Sequence, residues 1–159
     1  MPVAGRERTE EVESLLQHLT DWAGRRPDVR AMALVGSWAY GIPRNDSDVD
    51  VVLLTDAPES YVDREDWLPE VGGVRLVRTL DWGGVTERRF EVQSGLEVEL
   101  GVGTPGWASV DPLDAGTRRV ASDGMRVLHD PDGLLASLIA CRRDRPAGRR
   151  RRIRPSGSP

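Results

Sequence analysis

The sequence predicts an α/β (α+β) fold: a small mixed β-sheet flanked by helices, in a single domain. Three observations lead there. An amphipathic helical pattern opens the chain, short Val- and Leu-rich runs of strand length recur between polar turns, and another helical pattern follows the last of these runs. The 159 residues are enough to bury one core.

The elements follow in order. Val12, Leu15, Leu16, Leu19 and Trp22 recur at helical spacing and predict a helix over residues 7–23. Residues 30–35 read as a first strand. Ser37 stands where it could cap a short helix ending near Gly41. Residues 48–54 read as a second strand, and the acidic stretch 58–70 as loop with a short helix. Residues 74–80, 86–93 and 96–102 read as three more strands, the last two joined by a turn at Ser94-Gly95. Asp111 or Asp114 is placed to start a helix reaching about residue 120. Residues 125–128 then form a short strand. Asp130-Pro131 precedes a final helix through Cys141, with Leu134, Leu135, Leu138 and Ile139 apolar.

Charge divides the chain at residue 141. There is no lysine, and eight of the 22 arginines lie in residues 142–159. Residues 1–141 carry 14 arginines against 25 carboxylates, a formal charge of −11. The expected organisation is a folded domain over 1–141 and a disordered arginine-rich tail over 142–159. An acidic body argues against broad, non-specific duplex DNA binding by the domain; the tail reads as a solvated end, with a weak contact to nucleic acid as the alternative. No apolar run approaches the roughly 18 residues that cross a bilayer. The charged start and the lone Cys141 fit a cytoplasmic protein without disulfides. Cys141, His18 and His129 read as structural, and Trp107 either covers a site mouth or closes the core.

The chemistry concentrates between residues 35 and 52. Gly36-Ser37 follows an apolar strand, and Asp48 and Asp50 open the next one. Residues two apart in a strand point to one side, so Asp48 and Asp50 project together. Paired carboxylates repel unless a cation sits between them, and Mg²⁺ takes such oxygen ligands. A Gly-Ser turn offers backbone N–H groups and a hydroxyl to an anion. Glu97 and Glu99 share one face of a later strand, and either could supply a third carboxylate; Glu99 is taken as the better placed, with Glu91 a weaker candidate.

The Gly-Ser pair, a spacer of about ten residues and Asp-x-Asp at the start of a strand resemble the signature of the polymerase-β-like nucleotidyltransferase superfamily. The likeness is to its minimal and aminoglycoside-type members. The resemblance implies a short sheet with helices on one side. It implies a Mg²⁺-dependent, adenylyltransferase-like enzyme that moves a nucleoside monophosphate from a nucleoside triphosphate such as ATP to a hydroxyl of a small-molecule or protein acceptor. Asp48, Asp50 and Glu99 would be both catalytic and metal-binding. Gly36, Ser37 and Arg44 would contact the triphosphate. Trp38 and Tyr40 stand where relatives often carry arginine, which leaves Arg44 as the basic residue of the linker and Arg88, Arg89 or Arg118 as substitutes. Those aromatics could stack on a base or acceptor ring, or pack against the first helix. The alternative is a catalytically retired domain acting as a nucleotide-binding or antitoxin-type partner module.

Overall fold

The amphipathic pattern at the start of the chain forms α1 (Arg6–Gly24), in a computed structural model that describes residues 3–109 and 115–143. Val12, Leu16, Leu19, Trp22 and Ala23 are its buried residues, the stripe a core-facing helix requires. β1 (Val29–Val35) follows, then the single turn α2 (Ser37–Tyr40) and β2 (Val49–Thr55). The acidic stretch holds another single turn, α3 (Glu59–Val62), and a 3-10 turn at Pro69–Val71. β3 (Gly73–Asp81), β4 (Thr86–Val92) and β5 (Glu97–Gly103) come next. A 3-10 turn at Pro105–Ala108, α4 (Ala115–Asp123), β6 (Arg126–His129) and α5 (Leu134–Arg143) complete the described chain.

The strands form one sheet in the order β3-β4-β5-β2-β1-β6. Every neighbouring pair is antiparallel except β2 and β5, which run parallel, so the sheet is mixed as expected. Strand alternation splits its two faces. On one, Val49, Val51 and Leu53 of β2 join Val98, Leu100 and Val102 of β5 and Met32 and Leu34 of β1 against α1. Such a side chain contributes roughly 1.5–3 kcal/mol when fully buried. The opposite face is smaller. Ala31, Ala33, Val52 and Leu54 pack there with Ala121 of α4 and Leu135 and Leu138 of α5. These helices cover one end of that face, and the other end carries Asp50, Glu97 and Glu99.

Several boundaries differ from the sequence reading. Asp48 lies one residue ahead of β2. Ser37 does not cap α2; the N-cap is Gly36, with φ 73° and no side-chain cap. The tight turn needs a positive φ, which glycine supplies and serine resists. α4 runs on to Asp123 and α5 to Arg143, so the first tail arginines extend a helix. The helix start expected at Asp111 or Asp114, and the tail from residue 144 onward, lie outside the described residues. No described helix is long and apolar enough to cross a membrane.

The stretch between β2 and β3 is more ordered than its acidic composition suggests. Tyr61 and Trp67 are fully buried in it. Trp67 stacks edge-on against Phe90 at 5.8 Å, and Tyr61 meets Trp22 of α1 edge-on at 5.9 Å. The Trp67 Nε1–H donates to the carbonyls of Arg64 and Tyr61 at 2.8 and 3.1 Å. The Tyr61 hydroxyl donates to Asp28 Oδ2, which also accepts from Thr55 Oγ1 at 2.9 Å. This wedge ties the crossover between the parallel strands to the larger core. Trp67→Ala removes the ring and both hydrogen bonds, so urea unfolding should show a loss of about 3–5 kcal/mol.

Candidate active site

The site begins with a close approach of backbone to carboxylate. Gly36 closes β1 at a positive φ, and a Cβ built on it would lie 2.1 Å from Asp50 Oδ2 and 3.2 Å from Asp50 Cβ. Any side chain at residue 36 would therefore displace Asp50. Val35 pairs with Asp50 across β1 and β2, which fixes the turn beside the carboxylate. Across the parallel pairing, Asp50 is level with Glu99, and Val49 with Val98. Asp50 and Glu99 thus come together, as the alternation of both strands requires.

These groups line a cavity of about 290 Å³ with Gly36, Tyr40, Trp82 and Glu87. Tyr40 is 41% exposed and Trp82, at the tip of the β3–β4 hairpin, 69% exposed. The floor beneath them is Gly101, where an added Cβ would come within 3.2 Å of Val85. A glycine there lets the hairpin tip lie over the sheet. Trp38 turns away from the cavity and packs on the larger core, its Nε1–H donating to the Ser47 carbonyl at 3.2 Å. Of the two aromatics in the linker, then, only Tyr40 borders the cavity.

Asp48 faces a different hollow. With Glu97, Arg8 and Asn45 it lines a second cavity of about 370 Å³. Arg89 of β4 joins the two. One Nη donates to Asp48 Oδ2 at 2.7 Å and to Glu97 Oε2 at 2.9 Å, and the other pairs with Glu99 Oε1. Arg78 of β3 stands behind, 3.2 Å from Glu87 and 3.8 Å from Glu99. Burial works against the charge on Arg89, but its hydrogen bonds to Glu97 and Asp48 outweigh this and hold the guanidinium above its ordinary value.

Arg88, next in sequence, points to the opposite face. It donates to Thr79 Oγ1 at 2.7 Å and lies over the Trp67 ring. The parity was readable from Phe90, which is apolar and buried on β4: Arg88 shares its side and Arg89 does not. The Arg118 side chain is outside the described residues. Arg44 pairs with Asp46 at 3.5 Å in the exposed linker and makes no ion pair with Asp48, Asp50 or Glu99 among the described residues. Glu91 pairs with Arg75 toward the sheet edge. The Ser37 side chain makes no hydrogen bond among the described residues. His18 Nε2 bonds the Glu70 carbonyl at 2.7 Å, Trp107 packs on the smaller core, and Cys141 lies part-buried on α5. Glu87 and Trp82 join the cavity with no motif to announce them.

No ion pair reaches Asp50 among the described residues. Burial, then the charge of Asp48, pushes its carboxyl up to about 6. Among the described residues no three acidic, His or Cys side chains are preset around a metal position. The donor set itself consists of hard carboxylate oxygens, which suit Mg²⁺. The turn pressed on Asp50 Oδ2 would bring a bound phosphate next to that carboxylate. Asp48, Asp50 and Glu99 thus fit the ion in chemistry, while Arg89 occupies two of the three.

The raised Asp50 value has a consequence for stability. The unfolded carboxyl ionises near 3.8 and the folded one near 6. Between those values the folded state holds the proton more tightly, so stability falls as pH rises from 4 to 6 and stays lowered above. The penalty is about 2–3 kcal/mol after allowing for solvent screening. In EDTA, Asp50→Asn should therefore raise the melting temperature by several degrees at pH 8 and by much less at pH 4, as scanning calorimetry would record.

No family model matches the chain, and no curated protein does. Solved structures align with part of the chain. An aminoglycoside 6-adenyltransferase from Bacillus subtilis is 14% identical, aligning over 57% of this chain and 34% of that one with a TM-score of 0.43. Cid1 in complex with its short product ApU is 19% identical over 76% of this chain and 41% of that one, with a TM-score of 0.48. Terminal uridylyl transferase 4 from Trypanosoma brucei, with bound UTP and UMP, is 15% identical over 83% and 38%, with a TM-score of 0.35. The chain spans between 34% and 41% of the length of these proteins.

Proposed function

We propose that this chain is a Mg²⁺-dependent nucleotidyltransferase that moves a nucleoside monophosphate from a nucleoside triphosphate to an acceptor hydroxyl. The observation that carries the reading is the contact of the Gly36 backbone with Asp50, beside Glu99 in one cavity. A turn that can offer backbone N–H groups to an anion, a carboxylate with no ion pair among the described residues and a second carboxylate at hand are the parts phosphoryl chemistry needs.

Asp48, Asp50 and Glu99 would hold the metal. When bound, Mg²⁺ supplies positive charge to the triphosphate and to the departing pyrophosphate. Gly36 and Ser37 bind phosphate oxygens through backbone N–H groups and the free Ser37 hydroxyl. Glu99 accepts the proton of the acceptor hydroxyl as that oxygen attacks the α-phosphorus. Tyr40 and Trp82 flank the cavity and offer flat apolar surface to a base or an acceptor. Arg44, paired with Asp46, would have to leave that partner to reach a phosphate.

The second reading is a nucleotide-binding or antitoxin-type module that no longer catalyses. It is favoured by one observation, the Arg89 guanidinium on Asp48 and Glu99. Turnover separates the two. Calorimetric titration of the full chain with ATP and GTP in Mg²⁺ should give saturable binding that EDTA removes. Gly36→Ala should weaken it at least tenfold, since the methyl displaces Asp50, and Ser37→Ala should cost about 1 kcal/mol, the scale of one hydrogen bond. Release of pyrophosphate with a hydroxylated acceptor identifies the enzyme. Equal affinity in wild type and Gly36→Ala would place the triphosphate elsewhere.

A further inference from the structure

Five carboxylates, Asp48, Asp50, Glu87, Glu97 and Glu99, share the site with two guanidiniums, Arg78 and Arg89. Among the described residues Arg89 is the one cation within ion-pair distance of Asp48 and of Glu97. Its side chain is 13% exposed, and its three carboxylate partners are 24–34% exposed. At such burial an ion pair is poorly screened and holds more firmly than a surface pair.

The attachment has an unusual form. All the bonds are made by the two terminal nitrogens, while Nε is buried with no partner. The guanidinium can therefore swing without giving up a bond at Nε. Its partners also differ in place. Glu97 lines the hollow away from Asp50, whereas Glu99 lines the cavity with Asp50 and Gly36. A small movement toward Glu97 would free Glu99 and still leave Arg89 paired, and Asp48, held by the same Nη as Glu97, is released when that nitrogen keeps Glu97 alone.

We propose that Arg89 is a built-in counter-cation that competes with a divalent metal for Asp48 and Glu99, with Glu97 as the carboxylate it retains when the metal enters. This rests on the metal reading above. It gives the two glutamates of β5 different tasks: Glu99 belongs to the metal and the acceptor, and Glu97 to Arg89. A planar guanidinium with fixed forks satisfies several carboxylates at once, which a lysine ammonium does less well. A divalent ion brings twice the charge to the same oxygens at shorter range. The site can then stay partly neutralised when empty and open Asp48 and Glu99 only when the ion is present.

The test uses the full chain and Mn²⁺ without nucleotide, with free Mn²⁺ followed by electron paramagnetic resonance. Arg89→Met keeps the stem and removes the charge, and it should bind Mn²⁺ about tenfold or more tightly than wild type. Its melting temperature should fall in EDTA and be restored by Mn²⁺. Arg89→Lys, which retains the positive charge, should stay nearer to wild type in affinity. A measurement on wild type keeps the idea testable if Arg89→Met does not fold. The Arg89 Nε–Cζ resonances, assigned from Arg89→Lys, should shift and the guanidinium should rotate faster as Mg²⁺ is added. Mn²⁺ affinity in Arg89→Met equal to or weaker than wild type overturns the competition, as do unmoved Arg89 resonances under Mg²⁺ saturation. Absence of metal binding in every protein overturns both this inference and the metal reading, whereas binding that ignores Arg89 overturns the inference alone.

Discussion

β2 and β5 lie side by side and parallel, in a register that sets Asp50 level with Glu99. Like charges facing each other across strands are destabilising. Here the register cannot slip to relieve them. A shift of one residue would send Val49, Val51, Val98 and Leu100 to the polar face and the carboxylates into the larger core. The hydrophobic side of the sheet thus imposes the repulsion on the other side. Arg89 stands opposite Glu99 on β4 and Arg78 supports it from β3, while burial and then the charge of Asp48 raise the affinity of Asp50 for its proton.

The same alternation makes room for a ligand. The polar face of β1 and β5 is built from small residues, Ala31 and Ala33 on one and Gly101 and Gly103 on the other. Helices α4 and α5 close over the far end with Leu135, Leu138 and Ala121. The near end is bounded by the hairpin tip with Trp82 and by Tyr40. One sheet therefore carries a large core on one side and a half-covered platform on the other. The aromatic wedge of Tyr61 and Trp67 stiffens the crossover that the parallel pair requires.

How much of this was legible in the sequence depends on whether a feature is local. Asp48 and Asp50 flanking Val49, and Glu97 and Glu99 flanking Val98, declare their shared side through a period of two. Helix α1 declares itself through a period of 3.6. The pairing of β2 with β5 joins residues about fifty apart around an intervening hairpin, and no local pattern encodes it. The buried state of Tyr61 and Trp67 was hidden by the acidic residues around them, which face water while the rings turn inward. Ser37 looked like a helix cap because serine prefers that position. The backbone instead needed a positive φ one residue earlier, where only glycine is comfortable. Arg89 was one of several candidate cations, and the strand's alternation separates it from Arg88 once Phe90 is known to be inward.

An acidic cluster that lowers stability persists only where something sets it in place. In this chain the larger core sets it through strand register, so the cost is met by apolar burial on the opposite face. Arg89 recovers part of that cost, but it reaches Asp48, Glu97 and Glu99 and leaves Asp50 without a counter-ion among the described residues. A site serving only the fold would have no use for a desolvated carboxyl against a glycine turn, and an asparagine at residue 50 would relieve the strain. The remaining negative charge faces the cavity shared with Gly36, Tyr40 and Trp82. The Gly36 backbone and the Asp50 carboxyl thus stand side by side at this cavity, and the proposed metal-nucleotide reading rests on that arrangement.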